Sequence, residues 1–178
     1  DASSLFKKDQ RWGYFPAVGF AWKVNEESFL RDAEAVRELK LRLGWGETGQ
    51  QDITGLAGFY PSRPLFALGS SNAQYFPGIG TYSARPFNEN LTWETTTTIN
   101  AGLDFGFFRG NLLTGSFDIY ERKTTDLLLW TPLAPGQGLT NQFVDNVGEM
   151  TNRGAEMNLT VTPVKNSQVT WSISGNAA

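Results

Sequence analysis

The 178-residue chain carries 15 Lys and Arg against 18 Asp and Glu, a formal net charge of -3. It therefore has no basic stripe to neutralise phosphates, and nucleic acid is excluded as a partner. It contains no Cys and no His, which removes the thiol and imidazole nucleophiles, the commonest general base and the usual zinc and copper ligands; no catalytic residue, metal site or cofactor is expected.

With 19 Gly, 13% aromatic residues and abundant Thr, the composition points to β structure in one domain. No apolar run approaches the roughly 18 residues of a membrane helix. Strands of a membrane barrel are only half apolar and escape that test.

Residues 1–12 are polar and turn-like. A strand follows near 14–24, where Val18, Phe20, Trp22 and Val24 alternate with small residues. Asn25 to Val36 is the one helix-like patch, a turn or two long, with Asn25 as its cap and Glu26 and Glu27 in its first turn. The second strand, near 37–46, sets Leu39, Leu41, Leu43 and Trp45 against Glu38, Lys40, Arg42 and Gly44. Residues 47–90 are rich in Gly, Pro, Ser and Asn and keep no period, which marks a long loop.

The next two strands, near 91–107 and 112–126, form a long-armed hairpin. Leu91, Trp93, Ile99, Ala101, Leu103, Phe105 and Phe107 make one face and Glu94, Asn100 and Asp104 the other. After the break Phe108-Arg109-Gly110-Asn111, Leu113, Phe117 and Ile119 repeat the apolar face. Gly110 and Asn111 both suit the positive φ of a short turn. A second long loop, 127–146, leads to strands near 147–163 and 169–177.

The connections alternate between short and long, so every short turn is expected at one end of the sheet and every long loop at the other. Outer-membrane barrels have that asymmetry. About six strands cannot close such a barrel, so the expected fold is all-β: an antiparallel up-and-down meander, an open arc of a large transmembrane β-barrel, with one short helix in a turn.

Four stretches resemble the SusC/RagA-type TonB-dependent outer-membrane transporters of Bacteroidetes: DASSLFKKDQRWGYFPAVGFAWKVNEESFL, LKLRLGWGETGQQDI, NLTWETTTTINAGLDFGFFRGNLLTGSFDIYERKTTDLLL and NVGEMTNRGAEMNLTV. Only Thr54 to Arg85 and Thr131 to Gln142 lack characteristic residues. The resemblance implies a barrel of about 22 strands closed by an N-terminal plug. It also implies energy from TonB and a SusD-like surface lipoprotein that captures glycans or peptides. The whole chain, 1–178, is then a partial barrel lacking the plug, read as an internal piece of a longer protein in the cell outer membrane.

The apolar face is expected against outer-membrane lipid, and the polar set Lys40, Arg42, Glu94, Asn100, Asp104, Asp118, Arg122 and Glu156 along the lumen. These residues either touch substrate or plug, or simply pair across strands as a solvated wall. The loop aromatics Phe59, Tyr60, Tyr75, Phe76, Tyr82, Phe87 and Trp130 either stack on sugars or the lipoprotein, or pack within their own loops. The Asn146 to Arg153 segment reads as a structural strand entry with Gly148 and Gly154 as its bulge.

Two rival readings remain. A soluble carbohydrate-binding β-sandwich would cover Leu39, Leu41, Leu43 and Trp45 with a second sheet. A glycoside hydrolase fragment would use Asp104 and Asp118 as its carboxylate pair.

Overall fold

Period-two alternation does become strand. The computed structural model describes residues 1–31, 33–69, 74–136 and 141–178, without the side chains of Ala57, Gln74 and Tyr75. Its elements in chain order are β1 (Ala17–Lys23), β2 (Val36–Gln50), α1 (Thr54–Ala57), β3 (Phe66–Leu68), β4 (Gln74–Phe76), β5 (Ile79–Gly80) and β6 (Tyr82–Ala84). There follow β7 (Glu94–Phe107), β8 (Leu113–Thr125), β9 (Leu128–Pro132), β10 (Gln142–Asn146), β11 (Glu149–Lys165) and β12 (Thr170–Ala177). The six long strands form one antiparallel sheet in the order β1-β2-β7-β8-β11-β12, open at β1 and β12, while β3 pairs with β6, β4 with β5 and β9 with β10.

The chain folds as two compact units. The sheet unit comprises Pro16–Glu47, Thr97–Lys123 and Thr151–Ala178. Its register brings the apolar residues of neighbouring strands onto one face: Val18 lies opposite Trp45, Phe20 opposite Leu43 and Trp22 opposite Leu41. At the other edge Val161 lies opposite Ile173 and Val164 opposite Trp171. The change from odd to even positions in β11 reflects a register shift between Val161 and Val164, where Pro163 has no N–H to give the ladder. This apolar face is uncovered, with Phe117 44% and Ile119 48% exposed. A sandwich would have buried these side chains, and that reading is set aside.

The three short connections meet in this unit. Ala35 O accepts from the Phe108 N–H at 2.8 Å, Arg109 pairs with Glu34 at 2.9 Å, and Lys165 Nζ donates to Gly110 O at 2.7 Å. Gly110 and Asn111 have φ of 83° and 54°, as the turn chemistry requires, and Phe108 joins them at 67°. A bulky residue there is strained. Among its described residues the helix-like patch between β1 and β2 winds as a 3-10 turn, Val24–Glu26, without a side-chain cap, and the Leu30 and Arg31 N–H groups then both donate to Glu27 O. Asn25 instead bridges to β2, accepting from the Leu39 N–H and donating to Arg37 O.

The loop unit comprises Asp1–Phe15, Thr48–Thr96 and Thr124–Met150. Its core is Phe6, Ile53, Leu91, Trp93, Leu128 and Val144. Alternation had assigned Leu91 and Trp93 to the apolar sheet face. They precede β7 and are buried, Trp93 being 7% exposed with its ring 5.5 Å from Phe6 and 5.2 Å from Phe15. The turn-like N-terminal stretch supplies Phe6, and Arg11 O accepts from Trp93 Nε1 at 3.2 Å. Gly13 and Gly49 are cleared for the Phe15 ring, which a Cβ at either would strike. Thus the long loops carry a core and three short ladders of their own.

Candidate functional site

The polar face of the sheet unit is built around Arg42 on β2. Its Nε and Nη2 donate to Asp104 on β7 at 2.9 and 2.8 Å, and Nη2 also donates to both carboxylate oxygens of Asp118 on β8 at 2.9 and 3.1 Å. One guanidinium thereby engages all four carboxylate oxygens across three strands. Arginine's planar fork suits this, and a lysine would not reproduce it. Gly102 makes the room, since a Cβ there would come within 2.3 Å of Asp118 Oδ1 and 2.7 Å of Arg42 Nη2. With both carboxylates tied to one cation, Asp104 and Asp118 do not form a free acid and base pair. The hydrolase reading loses its only candidates.

The other predicted wall residues are scattered. Asn100 lies over Gly44, whose Cβ would meet Asn100 Oδ1 at 2.3 Å. Arg122 stacks 5.8 Å over the Tyr120 ring, and Gly154 leaves space for that ring. Lys40 stands opposite Lys23, Glu156 is exposed, and Glu94 accepts from the Leu128 N–H at 3.3 Å in the loop unit. Hydroxyl pairs complete this face: Thr160 with Ser174 at 2.9 Å and Thr162 with Ser172 at 3.1 Å. On the apolar face Glu121 and Arg153 form an ion pair of 2.6 Å beside Ile99 and Ile119, where the apolar alternation of β8 and β11 stops.

In the loop unit Phe59, Tyr60, Phe76 and Tyr82 are exposed, Tyr82 by 73%. Arg63 lies 5.3 Å from the Tyr60 ring. The Tyr75 side chain is outside the described residues. Trp130 lines a cavity with Phe87 and Arg85. Asp52 accepts from the Thr54 N–H and hydroxyl, which holds its pKa below the usual carboxylate value. Hydrogen bonding to Glu89 raises the Lys7 ammonium. Both groups are solvated and contribute little to stability.

The alternation signal missed two asparagines. Asn88 Nδ2 donates to Val144 O at 3.1 Å and to Asp145 Oδ1 at 2.7 Å. Asn146 accepts from the Thr92 N–H at 2.9 Å and donates to Thr92 O at 3.0 Å and Asp126 O at 2.9 Å. It clasps the chain ahead of β7, the end of β8 and β10 together. Gly148, at φ 82°, immediately precedes β11, whereas Gly154 clears Tyr120. Asn146→Leu should cost about 2–3 kcal/mol by orphaning three backbone groups. Limited proteolysis of the full-length protein, read as faster nicking within 127–146, checks this; an unchanged nicking rate contradicts the clasp.

Among the described residues no cluster of three or more acidic side chains is placed to hold a metal. No helix there is long and apolar enough to cross a membrane, which says nothing of strands. The family model for the TonB dependent receptor-like β-barrel matches residues 1–178. The chain belongs to that family. The TonB-dependent receptor SusC of Bacteroides thetaiotaomicron is 46% identical over 99% of this chain and 17% of its own length. A TonB-dependent receptor of Formosa agariphila is 33% identical over 96% of this chain and likewise 17% of its own. Two solved structures agree. The RagAB peptide transporter matches with a TM-score of 0.81 at 28% identity, and the RagAB importer in its open-open state with 0.80 at 26%. They cover 98% and 97% of this chain, and 18% of each matched chain.

The chain thus spans about a sixth of these TonB-dependent receptors. Its long strands are outer-membrane β-barrel strands, and the family is one of receptors and transporters, not enzymes. Their uncovered apolar face is accordingly the one suited to lipid.

Proposed function

We propose that this chain is part of the barrel of an outer-membrane transporter that imports oligosaccharides or peptides, acting with a SusD-like surface lipoprotein and energised through TonB by regions outside this chain. The observation that carries the reading is the two-faced sheet. One face is apolar and uncovered, and the other is tied by Arg42, Asp104, Asp118 and hydroxyl pairs. A wall between lipid and a wet lumen needs both faces; a soluble sheet has no use for the first.

In this reading the strands are a passive scaffold without catalysis. Lys40, Arg42, Glu94, Asn100, Asp104, Asp118, Arg122 and Glu156 line the lumen, and exposed Phe59, Tyr60, Phe76 and Tyr82 offer contacts to substrate or lipoprotein. RagAB, described as a peptide importer, favours peptides by likeness, and the 46% identity to SusC, a TonB-dependent receptor, favours energising through TonB. The test is uptake of labelled oligosaccharides and labelled peptides by cells expressing the full-length protein, with and without TonB. Accumulation of one class that stops on TonB depletion is expected. Accumulation indifferent to TonB, or of neither class, overturns the proposal.

A further inference from the structure

The loop unit encloses a cavity of about 200 Å³ whose lining includes Leu56, Pro61, Arg85, Phe87 and Trp130. Phe87 and Trp130 present partly exposed rings. Arg85 is the cation of this lining. Its Nη2 lies so near Gly58, at φ 71°, that a Cβ there would come within 2.6 Å, so the glycine leaves the guanidinium its place in the wall. Among the described residues Arg85 has no carboxylate partner, unlike Arg42, Arg109 and Arg153. Asp145, which bonds the lining residue Asn88, directs the same oxygen to the Asn146 N–H.

A half-buried guanidinium without a counter-ion, beside flat aromatic walls, is a receptor for a carboxylate carried on a ring with an apolar face. We propose that this cavity binds one hexuronate residue of an acidic oligosaccharide, its C–H face on Trp130 and Phe87 and its carboxylate on Arg85. A cavity of this size admits a single pyranose ring. A peptide C-terminus would bring the carboxylate without the flat face, which is why the aromatic walls favour the sugar. The proposal rests on the import reading only for the sugar's arrival, and its test reads binding without uptake.

The full-length protein in detergent is titrated with digalacturonate, its dimethyl ester and dialanine, with binding read by calorimetry. Digalacturonate should bind about tenfold or more tighter than the ester, the worth of a charge-assisted hydrogen bond, and the preference should shrink as salt is raised. Arg85→Gln should abolish the preference, Arg85→Lys should keep part of it, and Trp130→Ala should weaken acid and ester alike. Equal binding of acid and ester by the native protein overturns the proposal. So does a preference that survives in Arg85→Gln, or dialanine binding as tightly as the acidic sugar. Uptake lost while this preference persists would count against the import reading and leave the hexuronate site standing.

Discussion

Phe117→Lys should destabilise the membrane-inserted barrel by about 2–4 kcal/mol, the cost of a cation on the lipid face near the bilayer midplane. Ser116→Lys, one residue away, should stay within about 1 kcal/mol, because its side chain points to the polar face, where Asn158 Nδ2 donates to Ser116 Oγ at 3.4 Å. The contrast follows from strand geometry, since successive side chains point to opposite faces. Phe117 belongs to a row of exposed apolar residues, with Ile119 on the same strand and Trp171 and Ile173 across the sheet. The measurement is urea-induced unfolding of the full-length protein in bilayers, followed by the mobility shift of folded against unfolded barrel. Similar costs at both positions would mean that no lipid face exists here.

Arg42→Met should cost about 3 kcal/mol, within the range for removing one member of a partly desolvated ion cluster. The lost bonds are the smaller share. Asp104 and Asp118, both bound to Arg42 and with side chains 26% and 28% exposed, would be left as facing like charges without their cation. Neutralising them should therefore rescue. The triple variant Arg42→Met with Asp104→Asn and Asp118→Asn is expected to recover more than half of the loss, a coupling that separate sites would not show. The same bilayer unfolding assay reads it. Additive losses across the three substitutions would show that the cluster is only a coincidence of neighbours.

How much of this was legible in sequence depends on the range of the interaction. The hairpin β7-β8 could be read because period two, Gly110 and Asn111 are local signals. Asp104 and Asp118 were visible as carboxylates in adjacent strands, but their shared cation was not, because Arg42 is 62 residues from Asp104 along the chain. The loops were illegible for a related reason. Their core is assembled from short apolar stretches far apart in the chain, around Phe6, Ile53, Leu128 and Val144, and stretches that short have no period to detect. Trp93 kept the alternation of the strand that follows it and was misplaced for that reason.

Composition and alternation by themselves determined an all-β chain with one apolar and one polar face, short and long connections in turn, and no thiol or imidazole chemistry. These are properties of single residues and of neighbours two apart, and the backbone expresses them wherever the strands pair. Tertiary structure alone decided that Arg42 holds two aspartates and that Asn146 clasps three segments. Each of those depends on which distant residues the sheet register and the loop core bring within about 3 Å, the reach of a hydrogen bond. No local pattern encodes that proximity.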